Sequence, residues 1–301
     1  MKLGVMSAIL EHLEFEEMIK KLSEIGYECV EVACWPKGKA ERRYAGVSHI
    51  DVDNFDVDEI HSILDKYNME ISALAYYPNV LDPEKESAEV ALNHLKKVIN
   101  AAQKLSVKMV TTFVGRDPKK TVDENFETFK QVWPDLIEYA KQHDVKIAIE
   151  NCPMWFSNDE WPGGKNLMTS PANFKRAFEI IDSDYFGLNF DPSHFVWQQM
   201  DYVSVLHQFK EKIFHIHFKD IKVYLDKLNQ VGIMANPLEY MSPKLPGLGD
   251  VRWDEYVSAL NDIGYQGYAV VEVEDKAFED SPERIEKSVE LSYNYLRQYV
   301  I

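Results

Sequence analysis

The chain has 301 residues, 46% hydrophobic and 28% charged, close to the averages of folded globular proteins. Thirty-three Lys and Arg stand against 50 Asp and Glu, a formal net charge of −17. A surface this acidic repels phosphate backbones and anionic membranes, and the composition excludes a disordered, collagenous or disulfide-stapled chain.

Short β-branched or aromatic runs alternate with longer runs of helical period. The first predicted strand is Leu3–Ile9. A helix follows, with Met18, Leu22 and Ile25 on one face and Gly26 as its stop. Strand two is Cys29–Cys34, helix two Val57–Tyr67 and strand three Ile71–Tyr76. Helix three covers Glu84–Leu105, where Ala91, Leu95, Val98, Ala102 and Leu105 form an apolar stripe. Strand four is Met109–Val114, and helix four runs Val122–His143 with Thr121 as N-cap. Strand five, Val145–Ile149, leads into a Trp-, Pro- and Gly-rich loop from Cys152 to Met168. Helix five starts at Ser170, where Ser-Pro reads as N-cap plus first helical residue. Strand six is Tyr185–Phe190, helix six Val203–Lys210 and strand seven Ile213–Phe218. A long loop precedes helix seven, Trp253–Ile263, strand eight, Tyr268–Val273, and a last helix, Pro282–Tyr299.

Eight strand–helix units without a linker predict a single-domain α/β (β/α)₈ barrel over residues 1–301. No G-x-G-x-x-G follows strand one, which disfavours an open doubly wound sheet. No basic start with a long apolar run opens the sequence, and no stretch nears ~18 uninterrupted apolar residues. The expectation is a cytoplasmic protein without signal peptide or membrane span. Cys29, Cys34 and Cys152 lack paired metal-ligand spacing, and the first two read as buried free thiols.

Catalytic groups of such barrels collect where the strands end. Strand five ends in Glu150-Asn151, strand six in Asp191-Pro192-Ser193-His194, strand seven holds His215-Ile216-His217, and strand eight ends in Glu272-Val273-Glu274. One acid at a strand end has a bland explanation, such as a helix cap or a Lys partner. Acids or a His on four consecutive strands form an oxygen-rich set that suits a divalent cation such as Mn²⁺, Mg²⁺, Co²⁺ or Zn²⁺. His215 and His217 share a strand face, so periodicity leaves either as the ligand.

The motifs IENCPM (149–154), FDPSH (190–194), HIHFKD (215–220), PGLGDVRW (246–253) and VVEVED (270–275) stand in this order. With them the chain resembles the sugar phosphate isomerase/epimerase family of xylose isomerase-like TIM barrels. That family includes ketose 3-epimerases and inosose dehydratases and, more distantly, endonuclease IV. The resemblance implies that Glu150, Asp191, His217 and Glu272 bind one divalent metal ion, with His215 as a neighbouring polar contact. It implies that His194 meets the substrate and that Glu150 and Glu272 double as an acid–base pair. One departure is visible: ketose epimerases carry an Arg six residues after the ligand His, where this chain has Val223. Lys219 matches the H-x-H-x-K-D form of inosose dehydratase-like members, where it looks towards the substrate.

Removing a proton next to a carbonyl gives an enediolate, whose charge a divalent ion can take while two carboxylates move protons. The expected activity is therefore sugar isomerisation or epimerisation, with an inosose dehydratase-like lyase as the alternative. The partner is then a small sugar or polyol, and a homodimer or homotetramer is the assembly seen among relatives. An endonuclease IV-like nuclease fits poorly, because the charge has the wrong sign and only one H-x-H is present. A non-catalytic sugar-binding barrel is a further alternative. Arg116, after strand four, is a candidate contact for a substrate anion, with pairing to Asp117 as the plainer reading. Trp35, Tyr76 and Trp155 are candidates for walls against sugar CH faces or for caps on the barrel core. Pro246–Asp250 reads first as a tight turn and second as a substrate contact.

Overall fold

The computed structural model describes residues 1–37, 46–154 and 164–300. Trp155 lies outside these residues. Seven parallel strands come in quick succession: β1 (Lys2–Met6), β2 (Cys29–Ala33), β3 (Glu70–Ala75), β4 (Met109–Thr112), β5 (Lys146–Glu150), β6 (Phe186–Phe190) and β7 (Ile213–Phe218). A short antiparallel pair follows, β8 (Asp220–Val223) and β9 (Met241–Lys244), before β10 (Tyr268–Val271). β10 pairs with both β1 and β7, which closes an eight-stranded barrel.

The helices fill the outer ring: α1 (Phe15–Ile25), α2 (Val57–Tyr67), α3 (Lys85–Lys104), α4 (Val122–Gln142), α5 (Pro171–Ile180), α6 (Ser193–Val196), α7 (Tyr202–Gln208), α8 (Leu225–Val231), α9 (Trp253–Asp262) and α10 (Pro282–Leu296). Their ends follow local chemistry. Thr121 and Glu124 form a reciprocal capping box at the start of α4. Gly26 closes α1 at φ 115°, and a Cβ there would also meet the Tyr293 hydroxyl at 2.3 Å. Among the described residues no helix is long and apolar enough to cross a membrane.

Each strand sends alternate residues inward and outward. On β7, Phe218 faces out, its ring 5.1 Å from Trp253 and 6.0 Å from Tyr256 of α9. His215 and His217, of opposite parity, are fully buried in the barrel. On β6, Phe186 and Phe190 pack outward on α4 and α9 aromatics, while Asn189 reaches in towards both histidines.

Two sequence expectations change. The first strand stops at Met6, and Ser7–Leu10 forms a 3-10 turn. The reason is local: the Ser7 hydroxyl accepts the Ala33 N–H at 2.8 Å, replacing a ladder bond with a side-chain bond. The long loop after strand seven is instead the β8–β9 ribbon, with α8 between its arms. Ile221-Lys222-Val223 does alternate apolar and polar residues, but over a span too short to stand out.

Candidate functional site

β5, β6, β7 and β10 bring their C-terminal ends to one mouth. Glu150 is the last residue of β5, Asp191 follows β6, His217 is the fifth residue of β7 and Glu272 follows β10. Their ligand atoms all lie within 4.8 Å of one another. Glu150, Asp191 and His217 are buried and Glu272 is half-buried.

Backbone clamps hold these carboxylates. Asn151 bridges β5 to β6, accepting from Asp191 N at 2.8 Å and donating to Asp191 O at 2.9 Å. Asn166 donates to Glu150 O at 2.9 Å. One Asp191 oxygen, Oδ1, accepts the Ser193 N–H at 2.8 Å. Its other oxygen has no such partner. Glu150 Oε1, Asp191 Oδ2, His194 Nε2 and His217 Nδ1 are buried, and none makes a well-oriented hydrogen bond among the described residues. A buried polar atom left unmatched costs about 1–3 kcal/mol. A divalent cation held by Glu150, Asp191, His217 and Glu272 fits this set, because it would satisfy the Glu150, Asp191 and His217 atoms together.

The charges agree with this fit. Burial alone would raise Asp191, but the charge of the His194 imidazole beside it brings it down to about 2. Glu150 is likewise lowered against its burial by His194, His217 and Lys219. Burial opposes protonation of His217 and His194, yet both stay above the ordinary histidine range. Glu31 and the site carboxylates hold His217, and the Cys152 sulfur and Asp191 hold His194. Without a cation, protons on these two rings offset the clustered acids.

Glu31 carries a role that the sequence reading missed. It sits in the middle of β2, fully buried. Its carboxylate meets His217 Nε2 at 2.7 Å, Tyr77 OH at 2.6 Å and Thr111 Oγ1 at 2.5 Å. Burial opposes the charge, but His217 brings Glu31 down to about 2. A carboxylate on Nε2 leaves Nδ1 as the lone-pair nitrogen, and Nδ1 is the atom that faces Glu150 and Glu272, at 3.7 and 3.4 Å. An acid in the centre of Cys-Val-Glu-Val-Ala, an otherwise apolar strand, was the signal that could have found it.

Other anticipated residues take varied places. His194, in the single turn of α6, lies 3.1 Å from Asp191 Oδ2 and 3.6 Å from Glu150 Oε1. Lys219 is buried and bridges Glu272 at 3.1 Å and Glu274 at 2.6 Å; burial opposes its charge, but those acids keep it well within the charged range. His215 lies one layer deeper, its nitrogens 3.0 Å from Asn189 Oδ1 and 3.2 Å from Ser72 Oγ. Trp35 is buried against Tyr76 and Tyr77, with ring centroids 6.0 and 5.9 Å away. Arg116 is half-buried after β4, its backbone tied to Asn79. Val223 belongs to the β8 arm, where its N–H donates to Asp250.

Asp220 explains the Pro-Gly-Leu-Gly-Asp turn. Its carboxylate accepts N–H groups from Ile221, Gly247, Gly249 and Val251 and the Trp253 indole. A Cβ on Gly249 would sit 2.2 Å from Asp220 Oδ1, so this position needs glycine. The turn wraps a buried acid, which accounts for it without a ligand.

A family model described as xylose isomerase-like TIM barrel matches residues 19–298. The protein YfiH of Bacillus subtilis is 27% identical, covering 96% of this chain and 97% of its own. An inosose dehydratase of Mesomycoplasma hyopneumoniae is 21% identical, covering 96% and 89%. Among solved structures, an IolI protein with a bound zinc atom superposes with a TM-score of 0.74 at 18% identity, covering 99% of both chains. A D-tagatose 3-epimerase-like protein gives 0.70 at 17% identity, covering 99% of this chain and 97% of its own. The chain belongs to the xylose isomerase-like TIM barrel family.

Proposed function

We propose that the protein is a divalent-metal-dependent isomerase or epimerase of a small sugar or polyol that works by proton transfer next to a carbonyl. The observation that carries this reading is the convergence of Glu150, Asp191, His217 and Glu272 within 4.8 Å at the barrel mouth. A zinc-bound IolI protein and an epimerase-like protein share the fold, which supports the choice of chemistry. A cation held by these four residues would supply Lewis-acid polarisation of the carbonyl, and Mn²⁺, Mg²⁺, Co²⁺ and Zn²⁺ all suit the donor set.

The remaining work falls to the chain itself. Glu150 and Glu272 come from strands separated by β6 and β7, so they reach a substrate from different sides of the mouth. One takes the proton beside the carbonyl and the other returns a proton, which inverts or relocates the centre. The Glu31 contact fixes His217. Lys219 and His194 hold the substrate's oxygens, Arg116 and Trp35 contribute from further out, and His215 supports the floor beneath.

Lys219 in H-x-H-x-K-D and Val223 in place of the epimerase Arg favour a second reading, an inosose dehydratase-like lyase. In that reaction the proton next to the carbonyl goes to a Glu, and the β-hydroxyl leaves with a proton as water. Proteins named inosose dehydratase among the relatives support it.

Both readings share proton abstraction, so deuterium uptake from D₂O is the common test. Metal-loaded protein is incubated with ketohexoses and an inosose. Mass spectrometry follows exchange, and ultraviolet absorbance follows enone formation. Exchange without enone selects epimerisation, and enone growth selects the lyase. Neither signal across the panel, or full exchange in Glu150→Gln, overturns the proposal.

A further inference from the structure

Glu150 belongs to a second convergence beside the four-residue cluster. Its carboxylate, the Cys152 sulfur and the His194 imidazole each offer a donor atom, and these atoms also lie within 4.8 Å of one another.

Hydrogen bonds hold the backbone or side chain of all three. Asn166 Nδ2 donates to Glu150 O at 2.9 Å and to Cys152 O at 2.7 Å, fixing the two-residue step between them. The Met154 N–H donates to Cys152 Sγ at 3.4 Å, so the sulfur already acts as an acceptor. His194 starts the turn after Asp191, and its carbonyl accepts Gln198 Nε2 at 2.6 Å. His194 is only 7% exposed, and neither its Nε2 nor Glu150 Oε1 makes a well-oriented hydrogen bond among the described residues. The cysteine therefore does not stand alone: a buried imidazole nitrogen, 3.1 Å from Asp191 Oδ2 and 3.6 Å from Glu150 Oε1 but in no well-oriented hydrogen bond, and a buried carboxylate oxygen share its donor group.

An O, N, S set differs in kind from the neighbouring O, O, N, O set. Carboxylate and imidazole accept many divalent ions, but thiolate selects thiophilic ones and discriminates against Mg²⁺ and Mn²⁺. Three protein ligands with a fourth position open is the arrangement zinc adopts where it also meets a water or a substrate. Cys29 and Cys34 have no share in it, since neither belongs to any group of metal-capable side chains among the described residues.

We propose that Glu150, Cys152 and His194 form a second cation site for a thiophilic divalent ion such as Zn²⁺ or Co²⁺, sharing the Glu150 carboxylate with the four-residue cluster. The proposal rests on the reading of that cluster as a cation site, because Glu150 is the shared ligand. Binding forms a sulfur–metal bond and releases the thiol proton to solvent. It also withdraws His194 from the substrate contact assigned to it above. Excess zinc would then compete with substrate, while Mn²⁺ or Mg²⁺ would fill the first site alone.

Co²⁺ titration of the chelator-stripped full-length protein tests this, because thiolate ligation produces a near-ultraviolet charge-transfer band that oxygen and nitrogen ligands lack. The expected result is two equivalents, with the thiolate band growing in step with one of them. Cys152→Ser keeps one equivalent, loses the band, and weakens the other equivalent by more than the ~10–100-fold of an outer-shell change. His194→Gln loses the same equivalent, and circular dichroism checks that both variants fold. Glu272→Gln weakens the other equivalent and keeps the band. A single equivalent without a thiolate band overturns the proposal and leaves the four-residue reading standing. A thiolate band undiminished in Cys152→Ser also overturns it. A single equivalent that carries the band and ignores Glu272→Gln supports this site and sinks the four-residue reading instead.

Discussion

His215 and His217 stand two residues apart on β7, and neither exposes any surface, yet their surroundings treat them in opposite ways. His215 hydrogen-bonds only to neutral groups, although the Glu31 carboxylate lies within 4.8 Å of it. Asn189 and Ser72 each meet one nitrogen, and burial pushes its pKa down to about 4. His217 lies among acids, held above its ordinary range by Glu31 and the site carboxylates. The deeper layer is satisfied by neutral partners, one of which, Asn189, also reaches His217 at 3.0 Å. The upper layer, its His217 ring 5.8 Å from the His215 ring by centroid, keeps polar atoms in surplus. A satisfied network rigidifies a core, whereas an unsatisfied one costs stability unless a ligand completes it. The barrel thus carries a satisfied floor beneath the proposed cation site.

Replacing each histidine breaks this comparison most directly. His217→Leu leaves Glu31 charged, buried and without its cationic partner, which is expected to cost about 3–5 kcal/mol. His215→Leu strands only Asn189 Oδ1 and Ser72 Oγ, with an expected cost of about 1–3 kcal/mol. Urea denaturation of the metal-free proteins at neutral pH measures both. Equal losses would remove the distinction between the layers.

The pH dependence of the metal-free protein sharpens the same contrast. His215 binds its proton near 6.5 when unfolded and near 4 when native, so the unfolded chain holds more protons in between. Stability therefore falls as pH drops through that window, by about 3 kcal/mol once complete. His194 and His217 have raised native values, so their contribution is fully present below about 6.5 and is lost as pH rises through those values. The expected profile peaks near pH ~6.5 and declines on both sides. Thermal melts across pH test it, and His215→Leu should flatten only the acid limb. A melting temperature that climbs steadily from pH 5 to 9 would contradict the assignment.

Glu31→Gln separates geometry from charge in the upper layer. The amide oxygen can still accept from His217 Nε2, but the ring loses the carboxylate that makes it a stronger ligand. Affinity for Mn²⁺ or Co²⁺ is expected to fall ~10–100-fold with the fold intact. Calorimetric titration gives the number, and unchanged affinity would reduce Glu31 to a packing role.

The two layers were not equally legible in the sequence. The upper acids announce themselves because each ends an apolar strand, as Glu150 does after Ile147-Ala148-Ile149, and four such ends in succession define a rim. The strands and most helices were legible for the same reason: periodicity and caps act locally, as at Thr121 and Gly26. The floor was not. Asn189 and Ser72 reach His215 across 26 and 143 residues of chain, and no local pattern encodes those distances. H-x-H left His215 and His217 equivalent by parity; only the depth of each in the closed barrel distinguishes them. The β8–β9 ribbon escaped notice because its pairing joins arms far apart in sequence, Asp220 to Lys244.

Ser72→Ala probes the floor at its most modest point. The Ser72 hydroxyl lies 3.2 Å from His215 Nε2 and is nearly fully buried. Its loss removes one neutral bond and leaves one imidazole nitrogen unmatched, for which about 1 kcal/mol is expected. The effect should stay in the floor: His217 keeps Glu31, and metal affinity measured alongside stability should not move. If Ser72→Ala weakens metal binding as much as Glu31→Gln does, the floor and the site are one cooperative network rather than two layers, and the contrast between the histidines becomes one of degree.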